Sequence, residues 1–312
     1  MNIVCVEPLG ISQQNFENLK SEFASKGHNF DYYLDRKEDA ATLIERMKEA
    51  RIAIISNIKL SADTLAACPN LKYLSVAFTG LDHIDLAYCE EHGIEVQNAA
   101  GYSTTAVSEL AVGLMIDLYR KITELDGTIR QGGSRGMFLG RELRGKTVGV
   151  VGTGAIGTAT IRLLNAFGCK VLAYNRTEHS EVKEMGIAYH SLEHLLKESD
   201  IVTVHVPLNG ETHHLIGAKE LAMMKPTAIL VNTARGNVCD IDAIADALKE
   251  GRLAGAGFDV YEKEPPLAND HALLSAPNCV CVPHVGYASR ESFDIRADIV
   301  FDHVRNYLNK TH

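Results

Sequence analysis

The fold of this chain is decided by Lys146-Thr147-Val148-Gly149-Val150-Val151, which runs directly into Gly152-Thr153-Gly154-Ala155-Ile156-Gly157. The apolar run predicts a buried strand, and the residues after it predict a tight turn and a helix over Ala155–Phe167, ended by Gly168. In this context G-x-G-x-x-G places a helix N-terminus, with its unpaired N–H groups, beside a pyrophosphate. Because this dinucleotide motif lies in mid-chain, a separate domain is expected before it.

The composition is that of an acidic protein with two folded domains. The chain has 312 residues, of which 46% are apolar, and this is enough for two cores. The net charge of −9 and the lack of a Lys/Arg stripe argue against a nucleic-acid binder. The N-terminal residues Met1–Val6 do not resemble a signal peptide, and no apolar stretch approaches membrane-spanning length. We therefore expect a cytoplasmic protein with no membrane partner. Its seven cysteines, which form no C-x-x-C pair, are expected to be reduced and buried.

The first hundred residues alternate short apolar strands with amphipathic helices. Repeated βα units predict a parallel sheet covered by helices on both faces, here as a flavodoxin-like domain. Helices are expected at Gln13–Lys26 and Ala40–Ala50. The expected strands are Ile3–Val6, Phe30–Leu34, Ile52–Ser56, Tyr73–Val76 and Ile94–Val96.

A second βα series follows and matches a doubly wound Rossmann domain. Its expected strands are Thr147–Val151, Lys170–Tyr174, Ile201–Val204, Ala228–Asn232, Ala254–Phe258 and Val280–Val282. The expected helices after the first are Leu192–Lys197, Lys219–Met224 and Ile241–Glu250. A last helix, Arg290–Asn309, has no strand after it and is expected to pack on the first domain. The predicted class is therefore α/β with two doubly wound parallel sheets: a discontinuous substrate domain at 1–101 and 288–312, and a nucleotide-binding domain at 102–287.

Between the two series lie an apolar helix, Ser103–Lys121, and a polar, glycine-rich stretch, Asp126–Gly145. The stretch is too long for an ordinary connector, which favours an arm or an interface loop. Together the two segments predict a two-fold homodimer formed through them.

The end of the second Rossmann strand indicates which cofactor binds. An acidic residue at this point hydrogen-bonds the ribose of NAD, but here the strand ends in Asn175-Arg176-Thr177. Arg176 can pair with a 2′-phosphate, so NADP is favoured. The alternative is that Arg176 is an ordinary surface residue and NAD binds through other contacts.

Three polar residues near strand ends indicate the chemistry of 2-keto acid reduction. Arg235 can grip a carboxylate with its planar fork, and His284 is an acid–base group suited to neutral pH. Glu264, as a hydrogen-bond partner of the imidazole, would fix its tautomer and favour its protonated form. Each residue alone has an ordinary explanation: a satisfied polar histidine, a turn arginine or a solvated glutamate. Their order after G-x-G-x-x-G makes those explanations weak.

The chain resembles the D-isomer-specific 2-hydroxyacid dehydrogenases, which share a formate-dehydrogenase-like architecture, and the resemblance runs nearly end to end. It is carried by these segments: Phe78 to Asp85, Gly101 to Thr104 with Val107 to Glu109, Gly152 to Gly157, His205 to Leu208 with Glu211 to His214, Asn232 to Gly236, Gly255 to Pro265 and Pro283 to Gly286.

The resemblance implies roles for these residues. Arg235, Glu264 and His284 would be catalytic, with Glu264 supporting His284. Asp259 would hold the nicotinamide carboxamide, Thr233 and Ala234 would line that ring, and backbone amides near Thr79 and Gly80 would complete the carboxylate site. The expected substrate-binding residues are Phe78, Thr79, Gly80, Tyr102, Arg235 and His284. The expected cofactor-binding residues are Thr104, Gly152, Gly154, Ala155, Ile156, Gly157, Asn175, Arg176, Thr177, His205, Val206, Pro207, Thr212, Thr233, Ala234, Asp259 and Gly286. No metal is expected, and the adjacent pair His213-His214 is interpreted as surface residues whose side chains splay apart.

Within the family, Glu264 argues against formate dehydrogenases, which pair this histidine with Gln. Thr104 argues against fermentative D-lactate dehydrogenases, which tend to have Pro at this position. Tyr102-Ser103-Thr104 is more similar to the hydroxypyruvate and glyoxylate reductases, and Arg176 fits their use of NADPH. The expected partner is a small 2-keto acid or D-2-hydroxy acid. A different class of function stays open, an NAD(H)-sensing corepressor-like binding protein of the same fold.

Overall fold

The structure is a computed structural model that describes residues 1–264 and 266–310. The chain divides into two units, Met1–Ser103 with Ala288–His312, and Thr104–Tyr287. Pro265, which ends one of the family-like segments, and residues 311–312 lie outside the described residues. Each unit is built on a parallel sheet, which confirms the predicted α/β class.

The sheet of the first unit has five parallel strands in the order β2-β1-β3-β4-β5. This is the flavodoxin-like order, in which the chain changes direction across the sheet between β1 and β3. All residues of β3 and β4 are buried, because helices cover both faces of a parallel sheet. The strands are β1 (Asn2–Cys5), β2 (Asn29–Tyr32), β3 (Ile52–Ile55), β4 (Tyr73–Val76) and β5 (Glu95–Asn98).

Four of the helices in the first unit begin at a side-chain cap. Ser12, Asp39, Ser61 and Asp85 each accept a hydrogen bond from the backbone N–H three residues later, which satisfies an N–H group that the helix leaves unpaired. These helices are α1 (Gln13–Ser25), α2 (Ala40–Met47), α3 (Ala62–Ala66) and α4 (Leu86–Glu91).

The C-terminal helix α12 (Arg290–Lys310) packs on the first sheet. The side chain of Arg296 is almost fully buried and donates hydrogen bonds to the carbonyl oxygen of Leu9 and to Oγ of Ser56. The hydroxyl group of Ser75 in β4 donates to the carbonyl oxygen of Val300. These buried contacts join the end of the chain to its first hundred residues.

The sheet of the second unit has six parallel strands in the order β11-β10-β9-β8-β6-β7. In the six-stranded Rossmann order a further strand lies outside the one that corresponds to β7. Among the described residues no strand occupies this position, and a single bridge between Ala173 and Tyr189 lies there instead. The strands are β6 (Thr147–Val151), β7 (Lys170–Tyr174), β8 (Ile201–Val204), β9 (Ile229–Asn232), β10 (Gly255–Phe258) and β11 (Cys279–Cys281).

The helices of the second unit lie on both faces of this sheet. The long apolar helix α5 packs against α7 and against the β9–β10 side of the sheet, so its apolar residues belong to the core. The helices are α5 (Thr104–Arg120), α6 (Ile122–Arg130), α7 (Ala155–Ala166), α8 (Ser180–Glu184), α9 (Leu192–Glu198), α10 (Ala218–Leu221) and α11 (Ile241–Lys249).

The glycine-rich stretch begins later than the sequence predicts. Helix α5 ends before Lys121, which has a left-handed φ of 50°, and the chain then continues as α6 to Arg130. Residues 126–130 are therefore helical. Asp126 and Arg130 lie about one turn apart on α6, and their ion pair supports the helix. The part without regular secondary structure is residues 131–145, where Met137 is 95% exposed and Leu139 is 81% exposed.

The cysteines are all free thiols, but they are not uniformly buried. Cys169, Cys279 and Cys281 are half-buried, whereas the other four are buried as expected. Cys279 and Cys281 lie on one side of the edge strand β11, with their sulfur atoms 3.7 Å apart. Among the described residues, no helix has both the length and the apolar character needed to cross a bilayer.

Candidate active site

The predicted functional residues of the second unit follow the carboxyl ends of its parallel strands. In spatial order across the sheet they are His284 after β11, Asp259 after β10, Arg235 after β9, His205 after β8, Gly152 after β6 and Arg176 after β7. The chain changes direction across the sheet between β6 and β8. In open α/β sheets, ligands bind at the carboxyl edge beside such a switch point.

A glycine cradle lies at this switch point. Gly152 has a φ of +96°, and a Cβ atom there would lie 2.8 Å from the backbone of His205. A Cβ atom on Gly157 would lie 1.9 Å from the carbonyl oxygen of Gly152, so only glycine permits this approach of helix to strand. Around Gly154, the N-cap of α7, nothing lies within 4 Å of the corresponding position. The open N-terminus of α7, which includes Ala155 and Ile156, therefore has room for a pyrophosphate.

The loop after β7 is shaped by Asn175. Its Oδ1 atom accepts a hydrogen bond from the backbone N–H of Thr153, and its Nδ2 atom donates to the carbonyl oxygen of Thr177. The next residue, Arg176, is exposed and forms an ion pair of 2.9 Å with Glu211, which comes from the loop after β8. Glu211 thus brings a carboxylate to Arg176 from 35 positions away in the sequence, a contact that the pattern Asn175-Arg176-Thr177 at the strand end did not indicate.

Two buried polar atoms at the carboxyl edge have no hydrogen-bond partner among the described residues: Nδ1 of His205 and Oγ1 of Thr233. His205 is half-buried as a whole, but its ring atoms are shielded, and burial lowers the pKa of this imidazole to about 4. The ring is therefore neutral at pH 7. Unsatisfied buried polar atoms are rare in proteins, and they are expected where a ligand supplies the partner.

Beyond His205, Val206 is buried and Pro207 is exposed. The hydroxyl group of Thr212 donates to the carbonyl oxygen of Pro207 and accepts the N–H of Asn209, which closes this loop. Thr104, the first residue of α5, is half-buried.

The loop that carries Arg235 is held by Asn232, the last residue of β9. The buried Oδ1 atom of Asn232 accepts the N–H of Ala234, and its Nδ2 atom donates to the carbonyl oxygen of Arg235. A Cβ atom on Gly236 would lie 1.9 Å from the backbone of Tyr261, so the chain directly after the arginine packs closely against that backbone. Arg235 itself is half-buried, and its Nη1 atom donates to the carbonyl oxygen of Ala234. These contacts fix the backbone from which the guanidinium group extends.

His284 and Glu264 lie together. Nδ1 of His284 is 2.7 Å from Oε2 of Glu264, and their side chains are 21% and 49% exposed. His284 has a left-handed φ of 54°, which is unusual for a residue with a Cβ atom. Its backbone N–H donates to the carbonyl oxygen of Val282, and the same oxygen also accepts the hydroxyl of Tyr261. These two hydrogen bonds hold the backbone directly before and after Pro283 in place.

Asp259 supports the same loop. Its two carboxylate oxygens accept the backbone N–H groups of Val285, at 2.6 Å, and of Gly286, at 2.8 Å. Burial raises the pKa of Asp259, while these two hydrogen bonds and the nearby His284 act in the opposite direction. The carboxylate therefore positions the residues directly after His284, a role that the sequence did not indicate. Its predicted contact with a nicotinamide carboxamide stays a prediction.

The predicted substrate residues of the first unit follow β4 and β5 of its sheet. Phe78 and Tyr102 are buried with their ring centroids 6.5 Å apart. Thr79 is exposed, and its carbonyl oxygen accepts a hydrogen bond from the side chain of Asn98. Gly80 is half-buried in the turn that follows.

The pair His213-His214 differs from the interpretation of splayed side chains. Both residues are exposed, but their rings stack with centroids 4.1 Å apart, because His214 has a left-handed φ of 51°. In the part of the chain that the structure describes, no group of three or more His, Cys, Asp or Glu residues forms a metal site.

These features fit a dinucleotide. The cradle formed by Gly152 and Gly157 brings the start of α7 close to the strand edge, and the orphaned polar atoms of His205 and Thr233 lie along the same edge. The residues of this edge that could hold the nicotinamide half are Thr233, Ala234 and Asp259.

Comparisons with known proteins give the same result. The family model "D-isomer specific 2-hydroxyacid dehydrogenase, NAD binding domain" matches residues 112–286. The glyoxylate reductase of Thermococcus litoralis is 41% identical over 269 residues, which cover 83% of this chain and 80% of that protein.

Two solved structures show the likeness across the whole chain. The D-lactate dehydrogenase of Aquifex aeolicus, complexed with NAD and lactic acid, has a TM-score of 0.84 and 31% identity, and covers 99% of this chain and 96% of its own. An acyclic imino acid reductase, complexed with NADPH and D-Arg, has a TM-score of 0.88 and 28% identity, and covers 99% of this chain and 98% of its own. The matched relatives are enzymes, which favours the enzyme over the corepressor-like alternative. This chain binds a nicotinamide cofactor and belongs to the family of D-isomer-specific 2-hydroxyacid dehydrogenases.

Proposed function

We propose that this protein reduces a small 2-keto acid, of the size of glyoxylate or hydroxypyruvate, to the corresponding D-2-hydroxy acid. The observation that carries the proposal is the pair formed by His284 and Glu264 at the carboxyl edge of the nucleotide-binding sheet, 2.7 Å apart. An imidazole beside a carboxylate is suited to give a proton to a carbonyl oxygen and to take it back in the reverse reaction.

The chemical tasks are divided among a few groups. A reduced nicotinamide, when bound, supplies the hydride. Arg235 binds the carboxylate of the keto acid, because a guanidinium group offers two parallel N–H donors to two oxygens. Since Nδ1 of His284 faces Glu264, Nε2 is the nitrogen that holds the proton for the carbonyl oxygen.

We infer that NADPH is the preferred cofactor and that NADH is also accepted. The support is Arg176, which is exposed at the end of β7, while the position usually taken by an acidic residue is Asn175. The side chain of Asn175 is occupied by Thr153 and Thr177, so it shapes the loop instead of repelling a phosphate.

We further propose that the protein forms a two-fold homodimer through α6 and residues 131–145. Met137 and Leu139 are almost fully exposed there, and Ile122 and Ile129 on α6 are more than half exposed. Large apolar side chains that are exposed on α6 and on the residues directly after it favour an interface, and a second copy of this chain would bury them symmetrically.

The proposed reaction is tested with a panel of glyoxylate, hydroxypyruvate and pyruvate, each with NADPH and with NADH, by following the absorbance of the reduced nicotinamide. We expect turnover of at least one of the two smaller polar keto acids, faster with NADPH. A folded protein that binds the nucleotides but reduces none of the acids with either cofactor would contradict the proposal.

A further inference from the structure

Arg176, the residue proposed to bind a 2′-phosphate, faces a carboxylate of the same unit. Nη1 of Arg176 lies 2.9 Å from Oε2 of Glu211, and both side chains are largely exposed to solvent. The two residues come from the loops after β7 and β8, the strands that flank β6 on either side. An anion thus already lies at the guanidinium group that a 2′-phosphate would need.

Glu211 is held in this place by its own loop. Oδ1 of Asn209 accepts the backbone N–H groups of both Glu211 and Thr212, and the hydroxyl of Thr212 donates back to the carbonyl oxygen of Pro207. These bonds fix the backbone of Glu211 independently of Arg176. The backbone that carries this carboxylate is therefore an ordered turn, and from it the side chain of Glu211 reaches Arg176.

We infer that Glu211 is a specificity-determining residue, which competes with the 2′-phosphate of NADPH for Arg176 and so limits the preference for NADPH over NADH. This inference rests on the proposed cofactor site. A nucleotide with a 2′-phosphate must displace Glu211 from the guanidinium group, whereas a nucleotide with a 2′-hydroxyl leaves the ion pair intact. Removal of the negative charge of Glu211 should therefore strengthen binding of 2′-phosphorylated nucleotides alone.

The test uses two fragments that differ only in the 2′-phosphate, adenosine 2′,5′-bisphosphate and 5′-AMP, with binding measured by calorimetry in the absence of substrate. We expect Glu211→Gln to raise the affinity for the bisphosphate about two- to fivefold, the range set by exposed ion pairs, and to leave that for 5′-AMP unchanged. The matched control is Glu178→Gln. Glu178 lies two residues from Arg176 in sequence, but its carboxylate pairs with Lys183. The Glu178→Gln variant therefore reports the effect of one lost negative charge near the site.

Competition for the arginine is separated from simple repulsion by a double-mutant cycle. In the Arg176→Ala background, the gain from Glu211→Gln should fall to the level of the Glu178→Gln control. The inference is overturned if the gain persists in that background, or if Glu211→Gln leaves the affinity for the bisphosphate unchanged or lowers it. If the intact protein and Arg176→Ala bind both fragments equally well, the proposed NADPH site itself fails, and this outcome is distinct from the others.

Discussion

The imidazole of His284 and the carboxylate of Glu264 lie 2.7 Å apart, although the two residues are 20 positions apart in the sequence. The contact depends on a backbone conformation that costs free energy, since His284 has a φ of 54°. Asp259 holds that conformation through the N–H groups of Val285 and Gly286. A strained residue kept in place by buried hydrogen bonds is typical of a functional site, and it gives the pair a defined geometry.

Replacement of His284 by Ala should remove most of kcat. General acid catalysis contributes about 10²–10⁴-fold, and no other group of this pair can deliver the proton once the imidazole is gone. The measurement is steady-state reduction of glyoxylate and hydroxypyruvate, with nucleotide binding as the control for an intact site. A His284→Ala enzyme with a rate close to that of the original protein would refute the proposed role.

Replacement of Glu264 by Gln should preserve activity but change its pH dependence. Without the negative charge, the protonated imidazole is less favoured, so keto-acid reduction should fade at lower pH than in the original enzyme, while the acid limb changes little. A matched control is Glu262→Gln, because the carboxylate of Glu262 contacts His271 instead of His284. Equal pH profiles for the Glu264 variant and the original enzyme would exclude the proposed support.

Replacement of Arg235 should act mainly on KM for the keto acid. Arg235→Ala removes both donors to the substrate carboxylate, and we expect KM to rise by about tenfold or more, since charge-assisted hydrogen bonds contribute about 1.5–3 kcal/mol each. Arg235→Lys should restore binding only in part, because an ammonium group lacks the planar fork. Unchanged KM values in both variants would show that the carboxylate binds elsewhere.

Much of this fold is predictable from the sequence because the strands of a parallel sheet are short, apolar and closed by glycine or polar residues. The run Thr147–Val151 before Gly152 is an example, and the structure places a strand there. The residues that end such strands share one edge of a sheet, so the positions of His284 and Arg235 alone predict a common site.

Contacts between loops were not predictable in the same way. Glu211 reaches Arg176 because a turn around Asn209 presents it, and no local pattern indicates the direction of that turn. The helix α6 was missed because Lys121 interrupts the helical pattern in a left-handed conformation, which a lysine seldom adopts. The stacking of His213 on His214 has the same cause at His214.

A partly exposed ion pair should make the first unit sensitive to acid. Hydrogen bonds from Arg305 in α12 lower the pKa of Glu22 in α1 from 4.5 to about 2, aided by Lys26. Because the folded state holds the charged carboxylate, this contribution is present above pH 4.5 and is lost as the pH falls towards 2.

Replacement of Glu22 by Gln should therefore lower the free energy of unfolding by about 1 kcal/mol at pH 7, since both side chains are partly exposed and screened. In urea titrations the difference should shrink below pH 4.5, and the variant and the original protein should converge near pH 2. Glu45→Gln, which breaks a more exposed pair with Lys48, is the control and should change little. A difference that is as large at pH 2 as at pH 7 would assign the effect to packing.

The exposed apolar surface of α6 and residues 131–145 leads to the last prediction. An isolated protomer of 34.1 kDa would leave Met137 and Leu139 in water, and a stable interface buries about 1,000 Å² or more, enough to cover them. We expect light scattering at micromolar concentration to give twice the protomer mass. Combined Met137→Asp and Leu139→Asp substitutions should shift the protein to the protomer mass, because a buried charge has no partner at a symmetric interface.

Leu274→Asp is the control, since Leu274 is 51% exposed but lies outside α6 and residues 131–145, and it should leave the mass unchanged. A protomer mass for the original protein, or an unchanged mass for the double variant, would contradict a dimer formed through this surface.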